Sequence, residues 1–205
     1  MSARRTNLSR TTRETRIAVD LDLDGGGAAV DVATGIGFLD HLLTALACHA
    51  GWSLHLECSG DLEVDDHHTA EDCALALGGA LRRVVDESGP VARFGWAWAP
   101  LDEALARAVV DLGGRPWPEV HLGLERERIG ALATENVAHV LVSLAMAAGA
   151  AVHVDVVRGA NDHHRAEAAF KALALAVRQA TRPAADLRST KGAVEVVGGG
   201  DDERG

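Results

Sequence analysis

The chain has 205 residues, 47% of them hydrophobic and 24% charged, and a formal net charge of −10. This length supports one large domain or two small fused ones around a buried core. The acidic balance argues against nucleic acid or an anionic membrane as the main partner, so an anionic ligand must be caught by a local basic cluster. Residues 1–19 contain no apolar run and no small-residue cleavage site, so no signal peptide is expected. The apolar stretches are amphipathic or broken by Gly and charge, which argues against a membrane span. Cys48, Cys58 and Cys73 are odd in number and have no CxxC spacing, the pattern of reduced thiols in a cytoplasmic protein.

Residues 16–24 alternate, with Ile17, Val19, Leu21 and Leu23 on one face, and predict a strand. Gly25-Gly26-Gly27 predicts a turn, and residues 28–32 the returning arm of a hairpin. Gly35 and Gly37 open a stretch of helical apolar spacing from Phe38 to about His49. Residues 52–57 alternate again. Residues 69–87 are helical in pattern, with an Ala/Leu-rich face, and Ser88-Gly89-Pro90 stops them.

The order then restarts. Strands are predicted over 94–98, 104–112 and 119–124, a helix over 134–148 closed by Gly149, a strand over 151–157 and a helix over 164–181. Both halves read as strands, helix, strand, helix, so the fold class is α+β with an internally duplicated unit and sheets packed against helices. The expected repeats are residues 1–92 and 93–191, fused into one globular unit. Residues 192–205 are Gly- and acid-rich and predict a flexible tail.

Six of the ten histidines belong to a pattern that occurs twice. His41 stands early in a helix, and 26 residues on comes His67-His68-Thr69-Ala70-Glu71. His139 stands in the corresponding helix, and 24 residues on comes His163-His164-Arg165-Ala166-Glu167. Residues three or four apart share a helix face, so one histidine of each pair can point with its glutamate. Adjacent residues diverge by about 100° around the axis, so the members of each pair should serve different ions. Six imidazoles and two carboxylates would give each of two metals four protein ligands and leave an octahedral ion two open positions, as catalysis requires. A donor set without thiolate suits manganese, iron or zinc, and six-coordination favours the first two. His55, His121 and His153, on predicted strands, read as structural, and His49 as complementing a helix end.

These residues resemble the imidazoleglycerol-phosphate dehydratase family of histidine biosynthesis. The likeness is carried by residues 34–41 (TGIGFLDH), 61–72 (DLEVDDHHTAED), Gly114-Arg115-Pro116, 161–172 (NDHHRAEAAFKA) and Ser189-Thr190-Lys191-Gly192. The chain departs from the family pattern at Ala45, Ala50 and Val140-Leu141, none of which removes a candidate ligand. The resemblance implies a hydro-lyase that removes water from imidazole glycerol phosphate to give imidazole acetol phosphate. It implies two Mn2+ per active site, held by His41, His67, His68, Glu71, His139, His163, His164 and Glu167. It also implies Glu14 as the general acid/base, with Arg93, Arg115, Lys171, Ser189 and Lys191 on the substrate phosphate. The implied fold is a duplicated unit of the ribosomal protein S5 domain 2 type, with trimers assembling into a 24-subunit particle and active sites between neighbouring chains. A non-catalytic metal-storage protein would not need the cations Arg93, Arg115 and Lys191. A four-helix di-metal carboxylate oxidase would carry more acids than histidines, whereas here histidines outnumber acids three to one in the pattern.

Overall fold

The computed structural model describes residues 4–27 and 29–186, so Ser189, Lys191 and the expected tail lie outside the described residues. The first half contains β1 (Arg5–Thr11), β2 (Thr15–Asp22), β3 (Val30–Ala33), α1 (Gly37–Ala50), β4 (Ser53–Gly60) and α2 (His67–Glu87). The second contains β5 (Phe94–Leu101), β6 (Ala104–Asp111), β7 (Trp117–His121), the short pair β8 (Arg128–Ile129) and β9 (Leu132–Ala133), α3 (Thr134–Ala148), β10 (Ala151–Arg158) and α4 (Asp162–Ala180).

The two main sheets have the same plan, with strand orders β1-β2-β4-β3 and β5-β6-β10-β7. In each, an antiparallel hairpin is followed by a parallel strand–helix–strand crossover, β3-α1-β4 or β7-α3-β10. The duplicated α+β unit expected from the sequence is therefore the observed architecture.

The hairpin expected across Gly25–Gly27 is not formed. β4 lies between β2 and β3, pairing antiparallel with the first and parallel with the second. The hairpin partner of β2 is β1, whose sequence RTNLSRT has a single large apolar residue, Leu8, and so shows little alternation. β7 begins at Trp117, ahead of the expected 119, because an edge strand tolerates Pro118. α2 and α4 each begin two residues earlier than expected.

Alternation sets the layers. Ile17, Val19 and Leu21 on β2, and Ala106, Ala108 and Val110 on β6, are buried against helices, while their neighbours face out. The helices of the two halves pack on one another, α1 against α4 and α2 against α3, so the shared core lies between the sheets. α1 and α3 both end in a glycine with left-handed φ, 77° at Gly51 and 63° at Gly149, which lets the next residue return a hydrogen bond to the last turn. Val140 and Leu141 are fully buried in this core.

The α2–α3 seam is close. A Cβ at Gly78 would stand 2.5 Å from the Leu144 carbonyl oxygen and 2.9 Å from the Ala147 methyl. Alanine in a helix is worth about 1 kcal/mol more than glycine, but overpacking of this kind costs roughly 1–3 kcal/mol. Gly78→Ala is therefore expected to lower the thermal midpoint, and a rise in a melting scan would contradict the seam described.

Candidate metal centre

The centre is built from the N-terminal turns of α2 and α4. Asn161 caps α4 by accepting from the His163 N–H at 2.9 Å, and Asp65 accepts equivalently from the His67 N–H at 2.8 Å. Behind them two buried carboxylates fix loops from elsewhere. Asp66 accepts from Ala133 N–H at 2.6 Å, and Asp162 accepts from Glu125 N–H at 2.9 Å and Arg126 N–H at 2.7 Å. Burial works against both charges. Hydrogen bonds from Asn136 and Ala133 to Asp66, and from the two loop amides to Asp162, outweigh it and lower both pKa values.

Two clusters follow, each crossing between the halves. His163 and Glu167 share a face of α4, with Nε2 3.2 Å from Oε2, and His41 of α1 brings its Nε2 to 3.0 Å from the same oxygen. His67 and Glu71 share a face of α2 at 4.0 Å, and His139 of α3 approaches Glu71 Oε1 at 3.1 Å. In each cluster the ligand atoms all lie within 4.8 Å of one another. His67 Nδ1 lies 2.9 Å from Asn136 Oδ1, which fixes the ring so that Nδ1–H donates and Nε2 is left with its lone pair inward. Phe38 walls the first cluster, its ring centroid 5.0 Å from that of His163.

His68 and His164 diverge from these clusters, as the helical angle between adjacent residues requires. Each is oriented through Nδ1 by a carboxylate, Asp61 at 3.0 Å for His68 and Glu103 at 2.7 Å for His164. The two carboxylates raise the pKa of their histidines, and the His164 bond together with two backbone amides holds Glu103 down at about 2. The other ring nitrogens face Glu14 Oε1 at 3.9 Å and Asp102 Oδ2 at 3.7 Å. One chain thus brings together three donor groups per cluster where the sequence count anticipated four.

The residues expected on a phosphate are not gathered here. Arg93 makes a two-point pair with Asp111 (2.6 and 3.0 Å), and its N–H donates to the Ala180 carbonyl at the far end of α4. That is roughly 25 Å from His163 at 1.5 Å per helical residue. Arg115, in the loop before β7, lies at the same end, where β7 and β10 both begin. Lys171 is on the centre but bonded to Glu167 at 2.7 Å. Burial opposes the Glu167 charge, yet Lys171 and His41 hold its pKa at about 2. Asp61, Glu103 and Asn136 were missed by sequence reasoning, since nothing in their spacing marks them as partners of the histidines.

The donor set suits a divalent first-row ion: two imidazole nitrogens and a carboxylate oxygen per cluster, with no thiolate. Ligation needs neutral imidazoles, and carboxylate partners keep His68 and His164 protonated to higher pH than usual. Apparent Mn2+ affinity, measured by titration calorimetry, should fall as pH drops into the ordinary imidazole range, about 6.5, with proton release on binding. The metal-free protein should behave oppositely. The raised pKa of His68 and His164 contributes stability that is present below about 6.5 and lost as pH rises past it. Mn2+ affinity constant from pH 8 to 5.5 would contradict the ligand assignment.

Residues 34–177 match the sequence profile described as imidazoleglycerol-phosphate dehydratase. The imidazoleglycerol-phosphate dehydratase of Candida glabrata is 53% identical over 204 residues, covering 90% of this chain and 97% of that protein. The Saccharomyces cerevisiae protein of the same name is 48% identical over 217 residues, covering 94% and 99%. Among solved structures, that of IGPD from Pyrococcus furiosus is similar at a TM-score of 0.80 and 35% identity, covering 91% of this chain and all of that one.

Proposed function

We propose, from the premise that the chain belongs to the imidazoleglycerol-phosphate dehydratase family and is a hydro-lyase of histidine biosynthesis, a two-metal dehydration of D-erythro-imidazole glycerol phosphate to imidazole acetol phosphate. The observation that carries the metal dependence is the pair of crossed His-His-Glu clusters. His41, His163 and Glu167 would hold one divalent ion, and His67, Glu71 and His139 the other. Manganese fits the mixed nitrogen and oxygen donors. Bound there, the ions supply Lewis acidity toward the imidazole ring of the substrate.

The chain's own groups do the rest. His68 and His164, each with Nδ1–H on a carboxylate, present Nε2 as a ligand with its tautomer already set. Neither lies in a cluster of its own chain, so the reading places each on the cluster of a neighbouring copy, raising the protein ligands to four per ion. Glu14, exposed in the β1–β2 turn beside His68, takes the proton from the carbinol carbon and serves as the general acid/base. Arg93, Arg115, Lys171, Ser189 and Lys191 hold the phosphate. Arg93 and Arg115 stand at the opposite end of the subunit, which again requires a site assembled from neighbouring chains.

Self-association is supported by the outer face of the second sheet, where Trp96, Trp98, Val109 and Trp117 are 48–64% exposed, since large apolar side chains gathered on one face mark interaction surfaces. Trimers in a 24-subunit particle are the assembly this reading adopts, with residues 1–92 and 93–191 as its fused repeats. Among the described residues no helix is long and apolar enough to cross a membrane. The reading places the enzyme in the cytoplasm.

The test is elemental analysis of the purified protein with a dehydration assay on imidazole glycerol phosphate. The expected result is two Mn2+ per chain and turnover that chelator abolishes and Mn2+ restores. Turnover that survives complete removal of metal would overturn the proposal, and metal binding without turnover would favour storage.

A further inference from the structure

The two repeats fasten their hairpin turns to the following helices in different ways. Aligning β2 with β6 residue by residue sets Glu14 against Glu103 and Thr15 against Ala104. Through the strand pairings, Arg10 opposite Ile17 corresponds to Ala99 opposite Ala106. Aligning His67 with His163 sets Asp72 against Ala168.

In the second repeat, Glu103 is the fastening. Its carboxylate accepts from the Ala160 N–H at 3.0 Å, the Asn161 N–H at 2.8 Å and His164 Nδ1–H at 2.7 Å, so both of its oxygens are engaged. The positions around it, Ala99, Ala104 and Ala168, are buried alanines.

In the first repeat those three positions are Arg10, Thr15 and Asp72. Asp72 is a buried carboxylate that accepts from Arg10 Nε at 3.1 Å and Nη2 at 2.6 Å, and from the Thr15 hydroxyl at 2.5 Å. Arg10 and Thr15 flank the turn that carries Glu14. Inside that turn Thr12 Oγ accepts from the N–H groups of Glu14 and Thr15. A buried carboxylate is costly unless it is paired, and the second repeat shows that the same packing is satisfied by alanine. The polar network therefore serves something other than packing.

We infer that Asp72 is a positioning residue: with Arg10 and Thr15 it takes over the fastening that Glu103 performs in the second repeat, leaving the Glu14 carboxylate open toward the substrate. This rests on the reading of Glu14 as the proton-transferring group.

The test compares Asp72→Asn, the triple variant Arg10→Ala/Thr15→Ala/Asp72→Ala, which copies the second repeat, and Thr15→Ser, which keeps the hydroxyl. Four quantities are read: kcat, KM, bound metal per chain, and hydrogen exchange of the turn amides at residues 12–15. In the first two variants exchange in the turn should quicken. Their kcat should fall by about a hundredfold, the scale of a misplacement near 1 Å, with KM and metal content close to the parent's. Thr15→Ser should keep the turn exchange and kcat of the parent. In a Glu14→Gln background Asp72→Asn should cost nothing further, because both act through one group. Losses that multiply in the double variant, unchanged exchange, or a kcat loss that follows lost metal would each overturn the inference. If Glu14→Gln alone leaves kcat intact, the acid/base reading is what fails, and the exchange data still report on the fastening.

Discussion

Glu167→Gln is expected to strip one divalent ion from the protein and leave the other in place. Glu167 Oε2 is the point on which His41 and His163 converge, so its loss removes the one anionic donor of that cluster. Partners that merely orient a metal ligand cost 10–100-fold in affinity when removed, and a ligand itself should exceed about a hundredfold. An anomalous-scattering map at the manganese edge should find the same position empty in His41→Ala and His163→Ala. The other ion should be missing from Glu71→Gln and His139→Ala, because those residues meet in the second cluster. Dehydration should fall by roughly 10²–10³ or more in every case, the scale of losing one preorganised electrostatic group. If His41→Ala and Glu167→Gln emptied different positions, the crossed clusters would be wrong.

Glu14→Gln should separate chemistry from metal binding. The side chain is half exposed and belongs to neither cluster, with its Oε1 3.9 Å from His68 Nε2. Removing a general acid/base costs typically 10²–10⁴ in rate, so kcat should drop by about that factor while both ions stay bound. A variant that turns over normally would remove Glu14 from the mechanism. One that lost metal would make it a ligand.

The helices, most strands and the helix-borne His/Glu pairs of the two clusters were legible because each is a local property. Apolar spacing marks α1 and α3, alternation marks β2 and β6, and a histidine four residues before a glutamate must share its helix face. What escaped notice depends on contacts distant in sequence. The glycines at 25–27 make a turn in either topology, and only the packing of the whole sheet decides that β4 enters between β2 and β3. Likewise, nothing near His41 indicates that its glutamate is Glu167 rather than Glu71, 126 residues away against 30. The Arg10–Asp72–Thr15 network was illegible for the same reason, Asp72 lying 62 residues from Arg10 and 57 from Thr15.

The crossed pairing has a consequence for how such a chain could be divided. Were the polypeptide cut between α2 and β5, each fragment would inherit a sheet, two helices and an unusable share of both chelates: a lone imidazole for one, an imidazole with its glutamate for the other. Neither fragment would hold a complete three-donor set until it met its complement. A forerunner of half this length would have had to find a twin before either three-donor set was complete, and joining two such copies end to end would have made that meeting permanent.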